Sequence, residues 1–244
     1  MLCSVRVLFL PLLAMIVMLT DGSAIAQDAF TPAPRDDDWW VERHAAKLAE
    51  KDAMEQVDLV FIGDSITHSW EKAGAEIWKE KYEPRNALNL GYSGDRTEHV
   101  LWRLQGEENE IAGLTPKLFV VMIGTNNTGH RQDPSHVTAE AIGMIVDRLL
   151  EVSPESKVLL LGVFPRGEKR DDKLRMINSG INMLLRPWHD GQQVHFLDIS
   201  SEFLDKQGVL PKEIMPDMLH PNEEGYALWA EAMEPKIAQL LGEE

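Results

Sequence analysis

Five short apolar runs constrain the fold more than any other feature: Val57–Ile62, Ala87–Leu90, Leu118–Ile123, Val158–Val163 and Val194–Ile199. Each is the length of a buried strand, and each is separated from the next by a stretch with helical signals. Strands that alternate with helices pair in parallel through right-handed crossovers, and both faces of such a sheet are covered. The pattern predicts one α/β domain with a five-stranded parallel sheet. The expected helices are Trp39–Asp52, Ile66–Lys81, Arg96–Leu104, Ser135–Val152, Asp172–Trp188 and Asn222–Leu241. In the first of these, Val41, Ala45 and Leu48 fall at helical spacing, and the Trp39–Trp40 pair is expected to cap a core rather than to stack on a sugar.

Open parallel sheets bind ligands beyond the carboxyl ends of their strands. Here those ends read Gly63-Asp64-Ser65, Gly91-Tyr92-Ser93-Gly94-Asp95, Gly124-Thr125-Asn126-Asn127 and Phe164-Pro165-Arg166-Gly167-Glu168. Any one of these could be turn chemistry alone; four on one rim point to a site. Ser65 stands where a buried strand stops and a helix starts. A serine hydroxyl is a weak nucleophile until a base takes its proton and a third group holds that base. The segment Asp217-Met218-Leu219-His220 supplies both, since the i, i+3 spacing lets Asp217 accept from one imidazole nitrogen while the other faces the rim. A developing oxyanion needs preorganised donors. Candidates are the backbone N–H of Ser65, the backbone at Gly94, which lacks a side chain, and the amide of Asn126.

The chain begins with Arg6, an apolar run Val7–Leu19 and Ala24-Ile25-Ala26, the pattern of a secretory signal cleaved after Ala26. Residues 27–38, rich in proline and aspartate, read as an extended linker, leaving 39–244 as the domain. Export would remove Cys3, the only cysteine, so no disulfide is expected. A formal charge of −16 disfavours nucleic acid and anionic lipid as partners. No zinc motif, Walker loop or dinucleotide fingerprint is present, so no metal or organic cofactor is expected. Histidines 44, 68, 99, 130, 136, 189 and 195 read as surface or core residues rather than ligands.

The ordered blocks at Gly63–Ser65, Gly94, Gly124–Asn127 and Asp217–His220 resemble those of the SGNH or GDSL hydrolases. ALNLGYSGDRTEHVLWRLQGEE, VVMIGTNN and LLLGVFPRGE are further similar to the catalytic subunits of intracellular platelet-activating-factor acetylhydrolase. The resemblance covers about Trp39 to Leu241. It implies a three-layer flavodoxin-like fold and a cofactor-free serine esterase. In that scheme Ser65 is the nucleophile, His220 the base and Asp217 its orienter, with Ser65, Gly94 and Asn126 as oxyanion donors. Ile66 stands where the namesake motif has leucine. As neighbours of the catalytic groups, Ile66, Thr125 and Leu219 are the candidates for an acyl pocket.

The expected activity is hydrolysis of short oxygen esters, acetyl above all, on acetylated carbohydrate or another soluble ester. The resemblance alone favours an acetylated phospholipid. A carbohydrate or lipid binder that has lost the reaction, and a flavin module on the same topology, are the competing readings.

Overall fold

The computed structural model describes residues 28–106 and 109–243, so the signal segment lies outside the described residues. Five parallel strands form one sheet: β1 (Leu59–Gly63), β2 (Ala87–Gly91), β3 (Leu118–Met122), β4 (Lys157–Leu161) and β5 (Val194–Leu197), in the order β2-β1-β3-β4-β5. The chain steps outward from β1 to β2, then returns past β1 to β3. That reversal opens a crevice at the carboxyl ends of β1 and β3, the position where this topology binds ligands.

The helices are α1 (Asp38–Ala53), α2 (Ser65–His68), α3 (Ala75–Lys81), α4 (Thr97–Arg103), α5 (Ser135–Val152), α6 (Lys173–Leu185) and α7 (Glu223–Leu241). Alternate strand residues point to opposite faces. Val60, Ile62, Leu88, Leu90, Phe119 and Val121 pack with Val100, Ile142, Ile145 and Ile181 of α4, α5 and α6. Leu59, Phe61, Leu118 and Val120 pack with Trp70, Trp78, Trp229 and Met233 on the other side. Two apolar layers around one sheet give the expected three-layer α/β architecture.

Three expectations are corrected. The helix expected over Ile66–Lys81 is broken: α2 runs into a single turn at Ser69–Glu71, and α3 restarts after Gly74. A continuous helix would turn Trp70 and Trp78 about 80° apart, whereas the break lets both rings reach Phe61, at centroid distances of 6.2 and 5.1 Å. Helix α1 exists, but its buried face is Trp40, His44 and Lys47, while Val41 is 53% exposed. That face meets both acids and rings: His44 Nδ1 lies 2.8 Å from Glu110 and Lys47 Nζ 2.8 Å from Glu71, while the Trp40 ring packs on Tyr92 and Trp102 at centroid distances of 5.8 and 5.4 Å. The tryptophan pair also divides, with Trp40 1% and Trp39 38% exposed.

Residues 32–37 carry no regular secondary structure, and the amino-terminal segment is fastened to the rest of the fold. Ala29 is buried against Val137 and Ala141, and its carbonyl accepts from Thr97 Oγ1 at 3.1 Å. The Ala33 N–H donates to the Glu98 carbonyl at 3.2 Å. Among the described residues no helix is long and apolar enough to cross a membrane.

Candidate active site

Strand β1 ends at Gly63, which sits opposite Gly91 in β2. A Cβ on Gly63 would collide with Thr67, and one on Gly91 with the backbone of His68. Only glycine at both positions lets α2 cross this closely over the strand ends. Asp64 caps that helix, its carboxylate accepting from the Ile66 N–H at 3.0 Å. Burial, reinforced by the nearby Asp95 charge, raises its pKa to about 7.

Ser65 is the first residue of α2. Its Oγ lies 2.9 Å from Nε2 of His220, 155 positions away in sequence. The other ring nitrogen, Nδ1, lies 2.6 Å from Asp217 Oδ2. With Nδ1–H donating to that carboxylate, Nε2 is left to accept the serine proton. The second oxygen of Asp217 accepts the backbone N–H groups of Leu219 and His220, at 3.0 and 2.7 Å, so the same acid shapes the turn and holds the ring. Burial acts to raise the Asp217 pKa, but these bonds outweigh it and hold the carboxyl below its ordinary value. Asn222 then caps α7, accepting from the Gly225 N–H at 3.0 Å, and the turn is braced from behind.

The other two donor candidates, Gly94 and Asn126, lie on the turns after β2 and β3. Tyr92-Ser93-Gly94-Asp95 closes with an Asp95 N–H to Tyr92 carbonyl bond of 3.1 Å, and Gly94 has φ +81°. Positive φ at the third position is the mark of a type II turn. Among the described residues nothing accepts the Gly94 N–H. Asn126 Nδ2 donates to the Asp95 carbonyl at 2.9 Å. An amide carries two N–H donors, so one ties the turns together and one remains.

The acyl-pocket candidates are placed unevenly. The Ile66 side chain is buried in the core layer with Trp70 and Tyr226, not in the crevice. Thr125 is also buried, its hydroxyl taken by Arg166 Nη1 at 3.2 Å. Leu219 is half-buried beside His220.

Two arginines were not singled out from the sequence. Arg166 Nη1 donates to the Thr125 carbonyl at 2.7 Å, and the next residue, Gly167, donates its N–H to Met218 at 2.9 Å. The rim block after β4 therefore joins the Asn126 turn to the His220 turn. Arg35 reaches the Gly94 turn from the amino-terminal strap. The only available signal was the placement of Arg166 in a rim block; for Arg35 there was none. Around these groups, Trp39 stacks on His68 at 6.4 Å and remains partly open to solvent. Among the described residues no group of three His, Cys, Asp or Glu side chains could hold a metal ion.

The arrangement can activate a hydroxyl, pass its proton to an oriented imidazole and receive an anion on neighbouring donors. Comparison with known proteins agrees with that chemistry. The profile of the GDSL-like lipase/acylhydrolase family matches residues 61–228. Platelet-activating factor acetylhydrolase IB subunit alpha1 of Homo sapiens is 36% identical over 206 residues, covering 84% of this chain and 85% of that protein. Among solved structures, a GDSL-like lipase from Bacteroides thetaiotaomicron superposes with a TM-score of 0.63 at 20% identity, covering 80% of this chain and 97% of that one. An acetylxylan esterase from Geobacillus stearothermophilus gives 0.60 at 17% identity, covering 78% and 98%.

Proposed function

The chain belongs to the GDSL-like lipase/acylhydrolase family and is an esterase of the SGNH type; from that premise we propose a secreted serine esterase that removes short acyl groups, acetyl above all, from acetylated carbohydrate or another soluble ester. The observation that carries the chemistry is the relay from Ser65 through His220 to Asp217, with heavy-atom distances of 2.9 and 2.6 Å.

In this reading Ser65 Oγ attacks the acyl carbon as its proton passes to His220 Nε2. Asp217 stabilises the imidazolium. The carbonyl oxygen, now an oxyanion, is met by the N–H groups of Ser65 and Gly94 and by the free amide hydrogen of Asn126. His220 returns the proton to the leaving alkoxide, and the alcohol departs. Water then attacks the acyl-serine, giving its proton to His220. Collapse of the second intermediate releases the carboxylic acid and restores the Ser65 hydroxyl.

The acetyl group is supported by the name of the relative at 36% identity. The carbohydrate side is supported by the amino-terminal export pattern and by Trp39, a partly exposed indole stacked on His68 three residues after the nucleophile. The same relative's name favours a second reading, an acetylated phospholipid. Rates on acetylated xylooligosaccharide and on a 2-acetyl phospholipid below its micellar concentration test the choice. A kcat/KM at least about tenfold higher on the sugar, a difference of about 1.4 kcal/mol, supports carbohydrate; the reverse order supports the lipid.

A further inference from the structure

The amino-terminal strap places one guanidinium against the turn that carries Gly94. Arg35 Nη1 donates to the Ser93 carbonyl at 2.8 Å and lies 3.6 Å from Asp95 Oδ1. Its Nε and Nη2 both pair with Asp37, at 2.8 and 2.7 Å, and its Cζ sits 5.1 Å from the Trp39 ring centre. A Cβ on Gly94 would meet Arg35 Nη1 at 2.8 Å, so the guanidinium lies directly against that residue.

The Ser93 carbonyl and the Gly94 N–H are two ends of one planar peptide unit, and in a trans peptide they point in opposite directions. The unit is also the central peptide of the turn. Types I and II differ by inversion of this peptide, and a glycine at the third position makes both accessible. A donor fixed on the Ser93 carbonyl therefore fixes the direction of the Gly94 N–H. At the far end of the turn the Asp95 carbonyl is held by Asn126 at 2.9 Å, which leaves the Ser93–Gly94 peptide as the remaining free rotor.

We propose that Arg35 is a positioning residue for ester hydrolysis: by hydrogen bonding to the Ser93 carbonyl it locks the Gly94 N–H toward the oxyanion, so the strap before the domain is part of the active site. The inference rests on the serine-esterase reading. It also assigns the strap a role that a linker would not have, since detaching it would release the peptide. A bond to the carbonyl polarises the whole amide and strengthens its N–H as a donor. Both effects grow as negative charge develops on the substrate oxygen, so they belong in kcat rather than in substrate binding.

The test uses the full secreted chain and Arg35→Met, Arg35→Lys and Asp37→Asn, assayed on p-nitrophenyl acetate after titration of active sites with a fluorophosphonate. Arg35→Met should lower kcat per titrated site by about 10- to 100-fold, less than deletion of an oxyanion donor, with KM changed less than about twofold. The Ki of a boronic acid that forms a tetrahedral serine adduct should rise in parallel. Arg35→Lys, which still donates to the carbonyl, should recover most of the loss, and Asp37→Asn should fall between it and wild type. A structural role alone would lower the fraction of titratable sites while leaving kcat per site unchanged, and that result overturns the proposal. So does an Arg35→Lys variant as slow as Arg35→Met. If Arg35→Met fails to fold, the wild-type, Lys and Asn series decides the matter: kcat equal across all three overturns it. A wild-type chain that neither turns over the ester nor takes the fluorophosphonate defeats the esterase reading itself, a separate outcome.

Discussion

Asn126 and Asp95 join the turns after β3 and β2 through one hydrogen bond, from the side-chain amide to the backbone carbonyl at 2.9 Å. The bond orients the amide as well as bracing the turn, and the proposed role of Asn126 as an oxyanion donor depends on that orientation. Asn126→Ala is expected to lower kcat on p-nitrophenyl acetate by about 10²- to 10³-fold, the usual cost of one oxyanion donor. Steady-state kinetics checks this, with a denaturation curve to show that the fold survives. A loss under about fivefold would remove Asn126 from the donor set.

The crossing of α2 over the strand ends makes Gly91 intolerant of any side chain. The neighbour of an added Cβ is the His68 backbone, which cannot rotate away. Gly91→Ala should destabilise the protein by about 2–3 kcal/mol, in the range of overpacked cores. Urea denaturation measures it, and the same variant should lose activity because α2 carries Ser65. An unchanged urea midpoint would contradict the packing described for this crossing.

Asp64 gives a pH signature. Its carboxyl titrates at about 7 in the folded protein against an ordinary value of 3.8. The folded state therefore holds this proton more tightly than the unfolded chain, and the associated stability is fully present below about pH 4. It is lost as the pH rises through about 7. Asp64→Asn keeps an oxygen that can cap Ile66 and removes the titration. The urea midpoint of the variant relative to wild type should rise between pH 4.5 and pH 8, a window chosen to span that titration. A constant difference between the two proteins across the window would show that Asp64 titrates normally.

The strands were legible because every residue of β1, β2 and β3 is buried, and a continuous apolar run is what such strands leave in a sequence. Ser65, Asp217 and His220 were legible as candidates because their chemistry demands those residue types, although only folding brings the first within 2.9 Å of the last. The buried face of α1 was not legible. Apolar spacing pointed to Val41, Ala45 and Leu48, but the buried residues include His44 and Lys47, whose carboxylate partners Glu110 and Glu71 lie on distant segments. Arg35 and Arg166 share that difficulty. Each acts on backbone carbonyls, of Ser93 and Thr125, and a carbonyl acceptor leaves no trace in residue type. Ile66 and Thr125 were reasonable pocket candidates by adjacency, yet adjacency in sequence does not fix direction, and both side chains turn inward.

The relay also predicts how activity falls in acid. Asp217 stays ionised well into the acid range, since its hydrogen bonds hold the carboxyl below its ordinary value. The Asp217 carboxylate therefore adds no second ionisation to the acid limb, and kcat/KM should decline there with a slope no steeper than one. Asp217→Asn should lose about 10³- to 10⁴-fold in kcat by misorienting the imidazole. A slope of two in wild type would show that Asp217 titrates together with its partner.

The central claim is that Ser65 is the activated alcohol, and a fluorophosphonate followed by peptide mass spectrometry tests it most directly. The adduct should form on the peptide containing Ser65, vanish in Ser65→Ala together with esterase turnover, and form at least about 10³-fold more slowly in His220→Ala. Esterase turnover that persists in Ser65→Ala, or an adduct on another residue at the wild-type rate, would contradict the account.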